Sequence, residues 1–302
     1  MTAHPIQVLA PDAPDALLAR LNALRNELRR ERAAPEVPDA LAAGGLRHAA
    51  SQGALLFSPA GGWGFLRPLE RGTADCQIEV RPAARRQGLA RLLLGTLLGQ
   101  PAAYDVADLR FVTQDDIAGG AAVMRRLGAE PAGVSREYRL DLSHATLRPP
   151  RPPAGLTLHE VRGRYPASWW PAVSRLKLPL YAGRGVDPEE IERALTRPGL
   201  ERRALVLVAD EPVALHEVLL TGAAPELGHV DSTVVAPDRR GRGLARYLKE
   251  HLIRDLRDHS SVRTLTTTIE GDNPAMERLN AGLGFRLRTV SRSWHVTKPA
   301  CR

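Results

Sequence analysis

The stretch Val80-Arg-Pro-Ala-Ala-Arg-Arg-Gln-Gly-Leu-Ala-Arg-Leu-Leu-Leu94 returns 155 residues later as Val235-Ala-Pro-Asp-Arg-Arg-Gly-Arg-Gly-Leu-Ala-Arg-Tyr-Leu-Lys249, with eight of fifteen positions identical. A 302-residue chain that repeats a segment at half its own length is built as two copies of one plan. Between the copies, Pro149, Pro150, Pro152 and Pro153 fall within five residues. Such a run cannot continue a helix or donate to a central strand, so it reads as a stiff, extended connection. The expected organisation is a first domain over 1–143, a linker over 144–155 and a second domain over 156–302.

Each half carries the same order of elements. In the second, 156–161 reads as a strand, followed by a proline-interrupted helical region to about residue 197. A hairpin over 204–209 and 213–220 turns at Asp210-Glu211-Pro212, and a further strand spans 228–235. Leu244, Leu248, Leu252, Ile253 and Leu256 recur at helical spacing. A strand over 263–269, a short helix over 273–283 and a last strand complete the half. In the first half, strands over 62–69, 75–80 and 109–113 and a helix from Gly88 keep that order. Antiparallel strands feeding a strand–turn–helix make an α+β fold.

Composition narrows the function classes. The net charge of +8 is carried almost wholly by arginine, since Lys177, Lys249 and Lys298 are the lysines present. Acidic residues are interspersed, as in the run from Arg25 to Arg32, which reads as a solvated helix face of mixed charge. Aromatics make up 4% and do not interleave with the basic residues, which disfavours nucleic acid as a partner. Two cysteines, Cys76 and Cys301, make no disulfide framework and have no metal-ligand spacing. The N-terminal stretch lacks a signal peptide's basic and apolar regions, and no apolar run reaches the roughly 20 residues that span a bilayer. A cytoplasmic protein without a membrane partner is expected.

The repeated segment carries the clearest chemistry. Arg240-Gly241-Arg242-Gly243-Leu244-Ala245 lies between a β-branched strand and an amphipathic helix. The first turn of a helix leaves backbone N–H groups without partners and places partial positive charge there. Glycine lets an anion approach and permits left-handed backbone angles. Arg240, Arg242 and Arg246 add cationic donors, each charge-assisted hydrogen bond being worth roughly 1.5–3 kcal/mol. The spacing is neither G-x-x-x-x-G-K-S/T nor a G-x-G-x-x-G opening a βαβ unit, which excludes the common nucleotide loops.

Read as Gln/Arg-x-x-Gly-x-Gly/Ala, both turns resemble the pyrophosphate loop of GNAT acetyltransferases, through Arg85, Gly88 and Ala90 and through Arg240, Gly243 and Ala245. Downstream, Asn273-Pro-Ala-Met276-Glu-Arg-Leu-Asn280-Ala-Gly-Leu283-Gly284-Phe285 resembles the later helix of that family, which ends in Leu-Gly-Phe. The Asn, Met and Asn of this version look more like mycothiol synthase-like tandem GNAT proteins than like single-domain members. The resemblance implies two tandem domains, each a mixed, mainly antiparallel sheet flanked by helices, and acetyl-CoA or another acyl-CoA as acyl donor to a primary amine. It assigns the cofactor to Val234, Val235, Arg240, Gly241, Arg242, Gly243, Leu244, Ala245, Arg246, Asn273 and Asn280. It extends to the first-half loop through Val80, Arg85, Arg86, Gln87, Gly88, Leu89 and Ala90.

Amide formation needs a base for the amine's proton and a proton for the departing thiolate. The family's base position, about eleven residues before the loop's first arginine, falls on His229. Strand alternation would place His229, Asp231, Thr233 and Val235 on one face, with Asp231 either orienting His229 or acting as base itself. His216 and Glu217 are competitors on the preceding strand. The repeat offset maps His229 to Ala74 and Asp231 to Cys76, with Asp75 and Glu79 nearby, so the second half is the expected catalytic half. Where many members have a tyrosine acid, this chain has Asn280, which leaves the proton to water, Tyr247 or another hydroxyl. Trp169, Trp170, Lys177 and Tyr181 either line the acceptor pocket or pack their helix onto the sheet. The expected acceptor is a small molecule or peptide, and the expected state is a monomer, the halves forming a pseudo-dimer, or a homodimer. The alternative function is a catalytically silent acyl-CoA-binding sensor.

Overall fold

The computed structural model describes residues 5–31, 39–69, 72–115, 117, 119–149, 151–181, 189, 192–193, 199–222 and 224–298. Most of the helical region expected between 182 and 197 lies outside them, as do Ala118, Pro150, Cys301 and the side chain of Tyr181. The described residues group into two compact units, one within 1–134 and 289–302 and the other within 135–288.

In the first unit the strands are ordered β1 (Gln7–Leu9), β2 (Ala54–Ser58), β3 (Gly62–Pro68), β4 (Thr73–Val80), β5 (Asp108–Gln114), and then residues 289–297 of β12 (Arg286–Thr297). Helices α1 (Asp15–Glu31) and α2 (Asp39–Gln52) cover one face, and α3 (Leu89–Leu98) and α4 (Gly120–Arg126) the other. Alternation along β2 explains both layers. Leu55 and Phe57 meet Leu18, Leu21 and Leu46 on one side, while Ala54 and Leu56 meet Leu89, Leu93 and Leu97 on the other.

The second unit repeats the plan. Its strand order is residues 135–141 of β6 (Glu130–Asp141), β11 (Thr264–Glu270), β10 (Leu227–Val235), β9 (Pro212–Thr221), β8 (Leu200–Val208) and β7 (Thr157–Arg162). The helix α5 (Trp170–Tyr181) packs on one face, and α6 (Leu244–His259) with α7 (Pro274–Ala281) on the other. The apolar stripe read from the sequence, Leu244, Leu248, Leu252, Ile253 and Leu256, is buried against β8, β9 and β10.

The units do not end where the sequence halves do. Residues 135–141, from the first half, pair antiparallel with β11 from Ser135↔Glu270 to Asp141↔Thr264. Residues 291–297, from the second half, pair antiparallel with β5 from Ser291↔Gln114 to Thr297↔Asp108. Each unit thus takes its last strand from the other half of the sequence. Two copies of one fold offer the same free strand edge, so either copy's last strand fits either sheet. Leu140 and Leu142 are buried in the second core, and Trp294 and Val296 in the first. The proline-rich connection is also docked. Ala145 and Leu147 pack on the second core, and the Thr146 N–H donates to the Leu283 carbonyl at 3.1 Å.

Two register features position the chemistry. The parallel pairing of β10 with β11 runs from Leu227↔Thr264 to Val230↔Thr267 and goes no further, opening a gap beside 231–235. On its other side β10 is bulged: Val230 pairs with Val218 and Ser232 with Glu217, leaving Asp231 as the extra residue. In the first unit β4 pairs with β5 only from Thr73↔Asp108 to Asp75↔Arg110, but β3 and β4 run in unbroken register.

Candidate functional site

Both glycine loops are built alike. Gly88 and Gly243 are the N-caps of α3 and α6, with φ of 82° and 78°. Arg85 Nε donates to the Val80 carbonyl at 3.0 Å, and Arg240 Nε to the Val235 carbonyl at 3.2 Å. Gly241 has φ 75°, and its repeat counterpart Arg86 accepts φ 62°, a left-handed conformation costing about 1 kcal/mol or more for a residue with a Cβ. A Cβ placed on Gly241 or Gly243 would meet nothing within 4 Å, so open space lies before α6, as an anion cradle requires.

The loops differ in what holds their arginines. Arg85 is engaged by Glu31 at 2.6 Å, and Arg81 by Glu27 at 3.4 Å. The charged run of α1 is therefore not simply solvated, since its Arg25 also stacks on Trp63 at 4.8 Å. In the second unit Arg240 and Arg242 are exposed, with Arg242 donating to the Asp238 carbonyl at 3.2 Å. Arg246 is turned away from the cradle, pairing with Glu250 at 2.9 Å. Leu244 is buried and Ala245 partly so, while Gln87 caps the Ala83 carbonyl at 2.9 Å. Leu89 is core and Ala90 is exposed.

The bulge corrects the expected strand face. His216 Nδ1 contacts Thr233 Oγ1 at 2.9 Å on the α6 side, where Val235 also packs, while Val234 packs beneath α5. Ser232 Oγ donates to Glu217 on the α5 side. Asp231 joins that side, 3.8 Å from Lys177 Nζ, so Asp231 and Thr233 lie on opposite faces. His229 is exposed and meets Thr266 Oγ1 through Nδ1 at 3.0 Å. Partial loss of hydration around the ring lowers its pKa, with Glu137 pulling the other way. No described contact joins His229 to Asp231.

The extra residue also changes the correspondence between halves. Counting back from the loops through the bulge, Asp75, not Ala74, takes the register of His229: it pairs with Arg110 as His229 pairs with Thr266. Asp75 is held by Arg67 and Arg110, both at 2.7 Å. Cys76, which the ungapped offset set against Asp231, is a free, buried thiol pushed up to about 12 by burial and by Asp75.

Beneath Asp231 lies a buried polar cluster that the sequence named only in pieces. Glu217 accepts from Lys177 Nζ at 2.7 Å and from the Tyr165 hydroxyl at 2.8 Å. Arg202 forks onto Glu192 at 2.5 and 2.7 Å and lies over the Tyr165 ring at 4.3 Å. Burial works to raise Glu217, but Lys177, Ser232 and Arg202 together hold it below the ordinary carboxylate range. Asp231 goes the other way: burial and the neighbouring Glu217 raise it to about 6, with Lys177 opposing. Its Oδ2 is buried and has no hydrogen-bond partner. Trp169 and Trp170 pack with Val173 and Leu215, the packing alternative of the two left open.

On the α6 side, Asn280 is fully buried and neither amide atom has a hydrogen-bond partner. Asn273 caps α7, accepting from the Met276 N–H at 3.1 Å. An open cradle, a free strand edge beside 231–235 and an orphaned amide suit a long, phosphate-bearing thioester.

Residues 170–285 match the Acetyltransferase (GNAT) family. Mycothiol acetyltransferase of Tsukamurella paurometabola is 28% identical over 250 residues, covering 78% of this chain and 82% of that one. Mycothiol acetyltransferase of Geodermatophilus obscurus is 26% identical, covering 74% of each. Among solved structures, a tandem GNAT protein from the clavulanic acid biosynthesis pathway superposes with a TM-score of 0.81 at 21% identity, covering 99% of this chain and all of that one. A GCN5-related N-acetyltransferase from Sphaerobacter thermophilus gives 0.70 at 15% identity, covering 98% and 97%. The chain has the tandem GNAT fold, and its second unit carries a GNAT acetyltransferase domain, a family that draws its acyl group from acetyl-CoA.

Proposed function

We propose that the second unit acetylates a primary amine of a small molecule or peptide, with Asp231 receiving the amine's proton. The observation that carries this reading is Asp231 itself: a buried carboxyl oxygen without a hydrogen-bond partner, on the bulge where β10 parts from β11. Lys177 pairs with Glu217 at 2.7 Å and stands farther from Asp231, at 3.8 Å. Above a pH of about 6 Asp231 is an anion that draws an ammonium group in and takes its proton.

Acetyl-CoA supplies the activated acyl group. The backbone N–H groups of Gly241, Gly243, Leu244 and Ala245, with Arg240 and Arg242, would hold its pyrophosphate, and the free edge of Val234 and Val235 its pantetheine arm. His229, exposed beside Thr266, orients the acceptor. Asn273 serves the site through the cap of α7. In the first unit Val80, Arg85, Arg86, Gln87, Gly88, Leu89 and Ala90 keep the cradle's shape, while the bound Asp75 and the unbulged β4 suit a scaffold. Under this reading the domains expected at 1–143 and 156–302 act as units that trade their last strands.

The test is acetyl-CoA consumption against an amine panel that includes mycothiol-related amines, with the pH–rate profile of the best acceptor. An acid limb near pH 6 that disappears with Asp231→Asn is the expected result. No turnover with any amine would return the chain to the silent acyl-CoA-binding reading.

A further inference from the structure

Counting back from the two loops, the pairing Ser232↔Glu217 corresponds to Gln77↔Phe65 in the first unit. Phe65 packs there on the core that includes Leu55 and Trp63, so this position of the fold accepts an aromatic ring. The second unit places a carboxylate there instead and shields it fully from solvent. A buried carboxylate is costly unless donors surround it, and such groups concentrate at functional sites.

Donors converge on Glu217 from several elements. Its Oε2 accepts from Lys177 Nζ of α5 at 2.7 Å and from the Ser232 hydroxyl of β10. Its Oε1 accepts from the Tyr165 hydroxyl at 2.8 Å, with Arg202 Nη1 of β8 at 3.4 Å. These donors fill the roughly four lone-pair positions of a carboxylate, which leaves Glu217 no oxygen to offer a substrate's proton. Lys177 is shared unequally: its Nζ stands 3.8 Å from Asp231 Oδ2, beyond hydrogen-bond reach. That Oδ2 is buried and takes no hydrogen bond, and a shift of Nζ by about 1 Å would supply one.

The groups around Asp231 keep their charge near neutral pH. Burial, then the charge of Glu217, holds the Tyr165 hydroxyl protonated. Arg202 stays a cation against burial, paired with Glu192 and Glu217. Glu217 stays an anion against burial, held so by Lys177, Ser232 and Arg202. On the strand of Asp231 itself, His229 meets Thr266, and Thr233 turns to His216 on the α6 side. Asp231 is the group of this cluster that titrates near pH 6.

We propose that Glu217 is a positioning residue for the acyl transfer: it holds the Lys177 ammonium on its own carboxylate and so leaves Asp231 Oδ2 open to the acceptor's proton. The inference rests on Asp231 as the base. An ammonium in direct contact with Asp231 would favour its ionised form and make it a poor proton acceptor. The same contact would fill the oxygen to which the amine must donate. At 3.8 Å Lys177 offsets part of the cost of ionising Asp231 without occupying that oxygen. The amine's proton passes to Asp231 and from there to solvent, while Lys177 and Glu217 keep their charges. Tyr165, Ser232 and Arg202 anchor Glu217, and that anchoring decides which acid the lysine serves.

The test uses the full chain as wild type, Glu217→Gln and Glu217→Asp, each labelled with carbon-13 at the aspartate side-chain carboxyls. The resonance of Asp231 is identified by its absence from Asp231→Asn, and in wild type it should titrate near pH 6. In Glu217→Gln the lysine turns to Asp231, so the titration should fall by about one pH unit or more, and the acid limb of kcat/KM with it. The weaker base should lower kcat about 3- to 10-fold at about pH 8, with KM for acetyl-CoA held within about threefold. Glu217→Asp keeps the negative charge but draws it back from Lys177 by about one carbon–carbon bond, so the titration should fall by about half a pH unit or more. This conservative variant decides the matter if Glu217→Gln does not fold. Wild-type values in both variants overturn the inference alone. A fall in Glu217→Gln without one in Glu217→Asp also overturns it, because the charge at residue 217 and not its hold on Lys177 would then set the proton affinity. A wild-type chain that acetylates no amine overturns the proposed function, and this inference with it, whatever the carboxyl titrations show.

Discussion

Replacing Asp231 with asparagine should make the protein more stable and nearly inactive. A carboxyl raised from 3.8 to about 6 favours its protonated form in the fold by about two pH units, or about 3 kcal/mol at 1.36 kcal/mol per unit. Solvent reaching a side chain that is 21% exposed trims this to about 1–3 kcal/mol. The sign follows from the direction of the shift. The fold's advantage from a protonated Asp231 is complete below about pH 4 and is lost as pH rises through about 6, so the ionised residue burdens the fold above that. Asparagine has nearly the same shape and cannot ionise, and Lys177 keeps Glu217 at 2.7 Å as its counter-ion. At about 2–4 °C per kcal/mol for a unit of this size, Asp231→Asn should melt about 2–10 °C higher than wild type at pH 8 and no higher at pH 4. Over the same range kcat/KM should drop about 10²- to 10⁴-fold. Scanning calorimetry at the two pH values, with acetyl-CoA turnover, reads both effects. A variant that melts lower at pH 8 would mean that Asp231 is a stabilising partner of Lys177. A variant that keeps its rate would remove Asp231 from the chemistry.

Gly243→Glu should weaken acetyl-CoA binding at least about 100-fold by calorimetry, because it combines φ 78° with an acidic side chain aimed into the cradle. Gly88→Glu should leave binding at the second unit intact, and loss of all binding with Gly88→Glu would place the cofactor in the first. Lys177→Met strips the buried Glu217 of its nearest cation and should cost about 3–5 kcal/mol in denaturant melts. It should also move the acid limb of the rate profile above pH 6, since Lys177 opposes the rise of Asp231. His229→Gln keeps a hydrogen-bonding group beside Thr266 and should change kcat less than about tenfold; a loss of about 100-fold or more would make His229 the proton acceptor.

The element order of both halves was legible because it rests on local patterns. The stripe of α6 has a helical period, and the Asp210-Glu211-Pro212 turn marks a hairpin. The left-handed turns at Gly88 and Gly243 were legible for the same reason, since glycine between a strand and a helix marks a left-handed N-cap. What escaped reading was whatever depended on pairing across the sheet. An unbroken alternation put Asp231 and Thr233 on one face, and nothing near Asp231 announces a bulge, because its signal is a register shift against β9. The traded strands escaped for a related reason. Residues 135–141 and 291–297 carry patterns that fit either sheet, and pairing, not chain position, decides which one they close. Lys177, Glu217 and Arg202 come from α5, β9 and β8, so their meeting is a property of the folded unit alone.

One inserted residue accounts for most of what separates the two units. With β3 and β4 in unbroken register, Asp75 stays beside Arg67 and Arg110 as an ordinary surface ion cluster. An extra residue in β10 costs a rung of the ladder and leaves Asp231 outside the alternation, free to share a face with Ser232. That sharing lets Glu217 take both the Ser232 hydroxyl and Lys177, and leaves Asp231 with an oxygen that has no hydrogen-bond partner and whose proton affinity burial and Glu217 raise. Past the bulge the alternation resumes, which turns Thr233 to His216 and the α6 side. A straight strand could not place a proton acceptor under α5 at the vertex of the gap and a hydroxyl on the opposite face two residues later. Under the proposed function the bulge supplies both, and the first unit, lacking it, would keep the cradle without the chemistry.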